Sequence, residues 1–280
     1  MRCPNRFIYR CLAFLLCLLM LWGTIAFSAN SLTYNTSSTY SSGVFYSRLT
    51  DVELTGDPRV DIVNVALSQY GYSEANGNSD LSGMVEGYHN YTEYGHWYGV
   101  QSLWCAMFVS WCAYNAGISN DVIPPHAYTA SGVLWFMDRG QSHSRSSIMA
   151  GEYTPQAGDI IYFRSERNDS IVNHVGIVIG YFDGYVYTVE GNINFDPNCT
   201  DGGQVLVRCR HISDTIIRYI CAPNYSSDLS HEVGAFFPTE PSEPIVQTPQ
   251  ITLGQPGQYI DASDSTSNTA STLPQYSFIP

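Results

Sequence analysis

Apolar positions along the chain fall into two regimes. Over 58–71 and again over 104–116 they recur at helical spacing, and from 160 to 210 they come as short strand-like runs. Asp57-Pro58 is a helix start, with Asp as cap and Pro at the first helical position. Val60, Val63, Leu67 and Tyr70 then mark one face of a helix that Gly71 stops. Trp104 to Ala116 is strongly apolar with helical spacing, Phe108, Val109, Cys112 and Ala116 facing a core and Gly117 as terminator. A further helix is predicted over 131–139, before Gly140. Four strands are predicted over 160–163, 174–181, 185–190 and 204–210. Helices first and an antiparallel sheet afterwards predict an α+β fold.

The flanks read differently. Arg2, Arg6 and Arg10 precede an uncharged, largely apolar stretch from Leu12 to Phe27, and Ala26-Phe27-Ser28 offers small residues for cleavage. Residues 1–28 are therefore expected to be a secretory signal peptide, leaving no stable membrane span after cleavage and placing the protein outside the cell, secreted or held at its surface. Residues 29–57, rich in Ser, Thr, Asn and Tyr, are expected to be a flexible lead-in. Residues 58–224 hold the periodic apolar pattern of one sizeable domain. Within it, 72–100 is a long irregular segment, a kind that is usually functional. Residues 225–280, dominated by Pro, Ser, Thr and Gln, are expected to be a disordered tail.

Charge narrows the partners. Without residues 1–28 the chain carries 25 acidic and 9 basic residues, a net of −16, and it has no Lys. Nucleic-acid binding needs clustered cations, so that class is excluded. Five cysteines follow the signal segment: Cys105, Cys112, Cys199, Cys209 and Cys221. An odd number fits one thiol kept for chemistry and four available for pairing, with Cys199 and Cys209 placed to bridge a hairpin. With no CxxC pair, and with Asp80 and Glu86 scattered, nothing calls for a metal or another cofactor.

The chemistry lies in three segments. Cys105 opens a helix in SLWCAMFVSWCA, where unpaired N–H groups and the helix dipole favour a thiolate. His174 opens the strand Asn173-His174-Val175-Gly176, and Glu190 and Asn192 close the next one. A three-residue loop, Phe182-Asp183-Gly184, with a type I turn and Gly184 left-handed, pairs Tyr181 with Tyr185. Gly176 then lies opposite Glu190 and His174 opposite Asn192, so His174, Glu190 and Asn192 share one face. A two-residue Asp-Gly loop would instead turn Glu190 to the other face. The implied roles are Cys105 as nucleophile, His174 as base and then acid, and Glu190 orienting the ring, with Asn192 as alternative orienter or second polar contact. The Cys105 N–H is an oxyanion donor and Gln101 a candidate second one. Trp97, Tyr98 and Trp104, with Tyr91 and Tyr94, are the expected substrate contacts.

At these residues the sequence resembles the CHAP family, the cysteine, histidine-dependent amidohydrolases/peptidases. The resemblance spans roughly residues 58–222 and rests on Trp104-Cys105-Ala106-Met107-Phe108-Val109-Ser110-Trp111-Cys112, Pro155-Gln156-Ala157-Gly158-Asp159-Ile160-Ile161-Tyr162-Phe163, Asn173-His174-Val175-Gly176-Ile177-Val178 and Val189-Glu190-Gly191-Asn192. It implies a papain-like α+β fold and cleavage of amide or peptide bonds in peptidoglycan, in the stem peptide or cross-bridge. It carries the nucleophile onto Cys105, the base onto His174 and the next polar positions onto Glu190 and Asn192. Some relatives have Gln before the nucleophile where this chain has Trp104. A wall-binding module without turnover, or a cysteine peptidase of ordinary proteins, are the competing expectations.

Overall fold

A computed structural model describes residues 35–165, 168–194 and 203–225. The expected signal peptide, the expected tail beyond Tyr225, and Cys199 lie outside the described residues. The order is α1 (Ser38–Ser41), α2 (Val44–Thr50), α3 (Pro58–Ser68), α4 (Glu93–Tyr98), α5 (Cys105–Asn115), α6 (Thr129–Met137), β1 (Ser142–Ser144), α7 (Arg145–Met149), β2 (Ile160–Ser165), β3 (Asn168–Phe182), β4 (Tyr185–Ile193), β5 (Gln204–His211) and β6 (Ile217–Cys221). The strands form one antiparallel sheet in the order β1-β6-β2-β3-β4-β5. The fold is α+β and consistent with a papain-like architecture.

Local signals start and stop the main helices as their chemistry requires. The Asp57 side chain accepts from the Arg59 N–H at 3.0 Å and caps α3, with Pro58 in the first turn. Within that helix Asp61 is buried and accepts from the N–H groups of Thr55 and Gly56, at 2.7 and 3.1 Å, which ties the preceding turn down. At the end of α5 the Gly117 N–H reaches Tyr114 O and the Ile118 N–H reaches Ala113 O, with Gly117 at φ 71°. That is a Schellman closure, which needs a residue free to adopt positive φ. Ten of the eleven residues of α5 are buried. A helix apolar all round must sit inside, and α5 packs against β3 and β4 on one side and α3 and α4 on the other.

Two expectations are corrected. The stretch taken as a flexible lead-in folds from residue 35: α1 and α2 bury Tyr40, Phe45 and Leu49. A Ser/Thr-rich composition concealed three apolar anchors, and the Tyr40 hydroxyl donates to Gln69 Oε1 at 3.0 Å. The irregular segment 72–100 is also largely core. Tyr72, Leu81, Tyr94 and Trp97 are buried, and α4, capped by Thr92 and closed by Gly99 at φ 83°, lies within it.

The sheet separates a large apolar cluster, shared with the helices, from a smaller one. Ile160, Tyr162, Val175, Ile177 and Val189 belong to the first; Ile161, Phe163, Val178, Val186, Ile217 and Ile220 to the second. This alternation is the period of two expected of strands covered on both sides.

Register decides the site. Phe182 pairs with Tyr185 across a two-residue loop, Asp183-Gly184, with φ of 49° and 80°, so the turn is type I′ and not the expected three-residue form. That loop alone would invert the faces. A bulge does the opposite: Val178 pairs with Thr188 but Gly180 pairs with Tyr187, so Ile179 is an extra residue. The two one-residue differences cancel. Ile177 pairs with Val189, and continuing that ladder places Gly176 opposite Glu190.

Candidate active site

Cys105 is the first residue of α5, with Trp104 at the cap and no side-chain cap bond. The helical ladder begins where the Phe108 N–H donates to Trp104 O at 2.8 Å. The N–H groups of Cys105, Ala106 and Met107 therefore lie outside the ladder, at the positive end of the helix, where a thiolate or an oxyanion is favoured. Cys105 is 5% exposed, reachable yet largely dry.

His174 stands on β3 directly across from Phe163 on β2, and the two rings stack at 5.5 Å with 27° between planes. One ring nitrogen, Nε2, lies 2.8 Å from Glu190 Oε2, and the imidazole also interacts with the Cys105 thiol. Burial alone would push the imidazole down. The hydrogen bonds and charges of Cys105 and Glu190 outweigh it and hold His174 up at about 9. That direction favours the protonated imidazole beside Cys105.

Glu190, on β4, is fully buried. Its Oε2 faces His174 Nε2, and its Oε1 accepts from the Thr188 hydroxyl and from Arg210 Nη1. Arg210 Nη2 adds a second bond to Oε2 at 3.2 Å. Burial raises a carboxyl, yet the Arg210 charge and the His174 hydrogen bond overcome it and hold Glu190 well below the usual carboxylate range. Space for the carboxylate comes from Gly176, where a Cβ would meet Glu190 Cγ at 2.6 Å. On the next residue, a Cβ at Gly191 would strike Trp104 and Phe108 at 2.7 and 2.8 Å, which lets β4 pass close to the nucleophile helix.

Among the described contacts, the carboxylate of Glu190 and not Asn192 is hydrogen-bonded to His174. Asn192 sits at an irregularity of the β4–β5 pairing between Glu190 and Ile193, with φ 57°, so simple alternation no longer places it on the His174 face. Its Oδ1 is buried with no hydrogen-bond partner among the described residues.

The expected substrate contacts are redistributed. Trp104 is fully buried: its indole N–H donates to Glu74 Oε2 at 2.9 Å and its ring stacks on Tyr94 at 5.3 Å. Trp97, at 4% exposure, packs on Tyr98 and Tyr114, so it too is a core residue, and Tyr98 is half-buried. Tyr94 is buried as well. Gln101 is exposed, but its side-chain N–H group donates to His89 O at 2.9 Å and braces the approach loop. Leu103 and Tyr128 are exposed; Leu103 precedes Cys105 by two residues, and Tyr128 adjoins Thr129, whose hydroxyl donates to Val172 O within β3 at 2.7 Å.

Sequence reasoning missed Thr188, Arg210 and Phe163. Strand parity could have flagged them, since 186, 188 and 190 share a face with 206, 208 and 210 once the β4–β5 register is known. Of the cysteines, Cys105, Cys112, Cys209 and Cys221 are free; the suggested partner of Cys209, Cys199, lies outside the described residues. No helix among the described residues is long and apolar enough to cross a membrane.

No curated protein and no solved structure matches the chain. Residues 97–192 match the sequence model of the CHAP domain, a segment that begins just before the nucleophile helix and ends at Asn192. Cys105, His174 and Glu190 all lie within the matched stretch, and the amidohydrolase/peptidase activity that the domain implies is the kind a thiol, an imidazole and a carboxylate in hydrogen-bonded series can perform. Residues 97–192 are thus identified as a CHAP domain.

Proposed function

We propose that this protein is a secreted cysteine hydrolase that cleaves amide or peptide bonds in peptidoglycan, in the stem peptide or its cross-bridge. The observation that carries the reading is the series Cys105, His174, Glu190, with His174 Nε2 2.8 Å from Glu190 Oε2 and the ring interacting with the Cys105 thiol. Cys105 attacks the carbonyl as a thiolate, its proton having gone to His174. Charge developing on the carbonyl oxygen falls near the free N–H groups at the start of α5, that of Cys105 first among them. His174 then gives its proton to the leaving amine, and a water deprotonated by the same ring hydrolyses the thioester. Glu190 keeps the ring in one orientation and balances its charge. Asn192, with an unsatisfied buried oxygen beside this row, is a polar contact for bound peptide. Leu103 and Tyr128 border the entrance.

The test is mass spectrometry of fragments released from purified peptidoglycan by the protein, with Cys105→Ala as control. Fragments that appear with the wild type alone support the reading, and their termini name the bond. No release from several wall types, with turnover of denatured casein, would make the protein a peptidase of ordinary substrates. Wall binding without release from any substrate would make it a binding module.

A further inference from the structure

Glu190 presents an electrostatic problem that the three proposed reacting groups do not solve. It is fully buried, and whenever His174 is neutral a buried carboxylate next to it has no cation from the triad. Taking an unpaired carboxylate out of water is costly enough that such groups are normally protonated instead. A protonated Glu190 would no longer balance an imidazolium.

The partner comes from β5. Arg210 pairs across the sheet with Val186, four residues and roughly 13 Å of strand from Glu190. The two side chains lean toward each other over Thr188 and meet in a two-pronged ion pair. The guanidinium also lies over the Phe163 ring at 4.6 Å, the same ring that stacks on His174. Phe163 is 2% exposed, so one buried apolar plate covers a face of each. Every element packed on the carboxylate can be named. His174 comes from β3, with Gly176 leaving space; Thr188 is on its own strand; Arg210 comes from β5; and Cys105 of α5 acts through His174. Arg208, on the same face of β5, donates to Asn194 O.

Resting on the Cys105–His174–Glu190 reading above, we propose that Arg210 is a positioning residue of this site, holding the buried Glu190 carboxylate as an anion aimed at His174 so that the site stays electrically neutral through the reaction. The balance is explicit. With the thiol proton on His174, the row reads thiolate, imidazolium, carboxylate, guanidinium, with no net charge. After attack the C–S bond has formed, the C–N bond has broken and the His174 proton has left on the amine. Thioester and imidazole are then neutral, and carboxylate and guanidinium still cancel. Without Arg210 both states carry one uncompensated negative charge in a dry site. Arg suits the place better than Lys because its planar fork meets both carboxylate oxygens and lies flat on a ring.

Removing a cation raises the proton affinity of every group around it, which gives the test its sign. Two readouts are needed on the purified protein: alkylation of Cys105 by iodoacetamide, followed by peptide mapping from about pH 4 to about pH 10, and the pH profile of kcat and KM on peptidoglycan. Arg210→Gln is expected to move both limbs of each profile upward by about one pH unit and to lower kcat on the order of tenfold with KM little changed. Arg210→Lys is expected to return the limbs to the wild-type positions. A role confined to packing lowers turnover equally at every pH and moves neither limb, which would overturn the proposal. If Arg210→Gln does not fold, Arg210→Met, which keeps an apolar stem against Phe163 and removes the charge, decides: limbs moved upward by about one unit support the proposal, and wild-type limbs overturn it. His174→Ala separates this failure from failure of the underlying reading. If it leaves the alkylation profile of Cys105 unchanged, the Cys–His pair is wrong. If it abolishes reactivity at neutral pH while Arg210→Gln changes nothing, only Arg210's role is wrong.

Discussion

Gly176 lies across the β3–β4 ladder from Glu190, and a Cβ on it would sit 2.6 Å from Glu190 Cγ and 3.1 Å from Val189 O. The orienting carboxylate thus occupies the volume that a side chain at 176 would take. Gly176→Ala is expected to displace Glu190 from His174 and lower kcat by about tenfold or more, at a stability cost of about 1–3 kcal/mol. Steady-state kinetics beside denaturant unfolding checks this. Wild-type kcat in a folded Gly176→Ala would mean that the carboxylate has another place to go.

His174 supplies a prediction about alkaline pH. Its proton affinity in the folded state, about 9, is above the ordinary value of 6.5. A raised folded-state value means that the stabilisation is fully present below about pH 6.5 and is lost as pH rises through about 9. Unfolding free energy is therefore expected to fall across that window in the wild type and to fall less steeply in His174→Gln. Parallel slopes for the two proteins would remove His174 as the source.

Glu93 is expected to act in a lower window. Burial raises its carboxyl to about 7, despite both oxygens accepting from the Ser37 N–H at 3.1 and 3.3 Å. Here too the folded-state value exceeds the ordinary 4.5, so the stabilisation is present below that value and is lost as pH rises through about 7. Glu93→Gln keeps an acceptor for Ser37 without the charge. It is expected to raise the melting temperature at pH 8 by a few degrees, roughly 2–6 °C, and to change it less at pH 5. A drop at pH 8 would mean that the anion is needed to hold the start of α1.

Trp104 separates packing from recognition. Because its ring is fully buried and its N–H is bonded to Glu74, Trp104→Phe is expected to cost about 1–3 kcal/mol while leaving KM for wall fragments unchanged. Leu103→Ala, on an exposed side chain, is expected to do the reverse. A raised KM in Trp104→Phe at unchanged stability would return Trp104 to the substrate surface.

The sequence alone determined what depends on local chemistry and period. Asp57-Pro58 and Gly117 mark the start of α3 and the end of α5 within a few residues, and the short apolar runs found β2, β3, β4 and β5. Thiol, imidazole and carboxylate were legible because each sits at the end of a regular element with its own signal. Tertiary structure decided the rest. The face shared by His174 and Glu190 was expected from a three-residue loop; it arises from a type I′ turn whose effect the Ile179 bulge cancels, and neither local sequence contains the other's register. Strands β1 and β6 were missed since a three-residue strand has no period and β6 is defined by its neighbours. Trp97 and Trp104 look like recognition aromatics in one dimension, and only packing shows that they fill the core. Arg210 stands 20 residues beyond Glu190, and a charge pair across two strands exists only once the sheet has set the register between them.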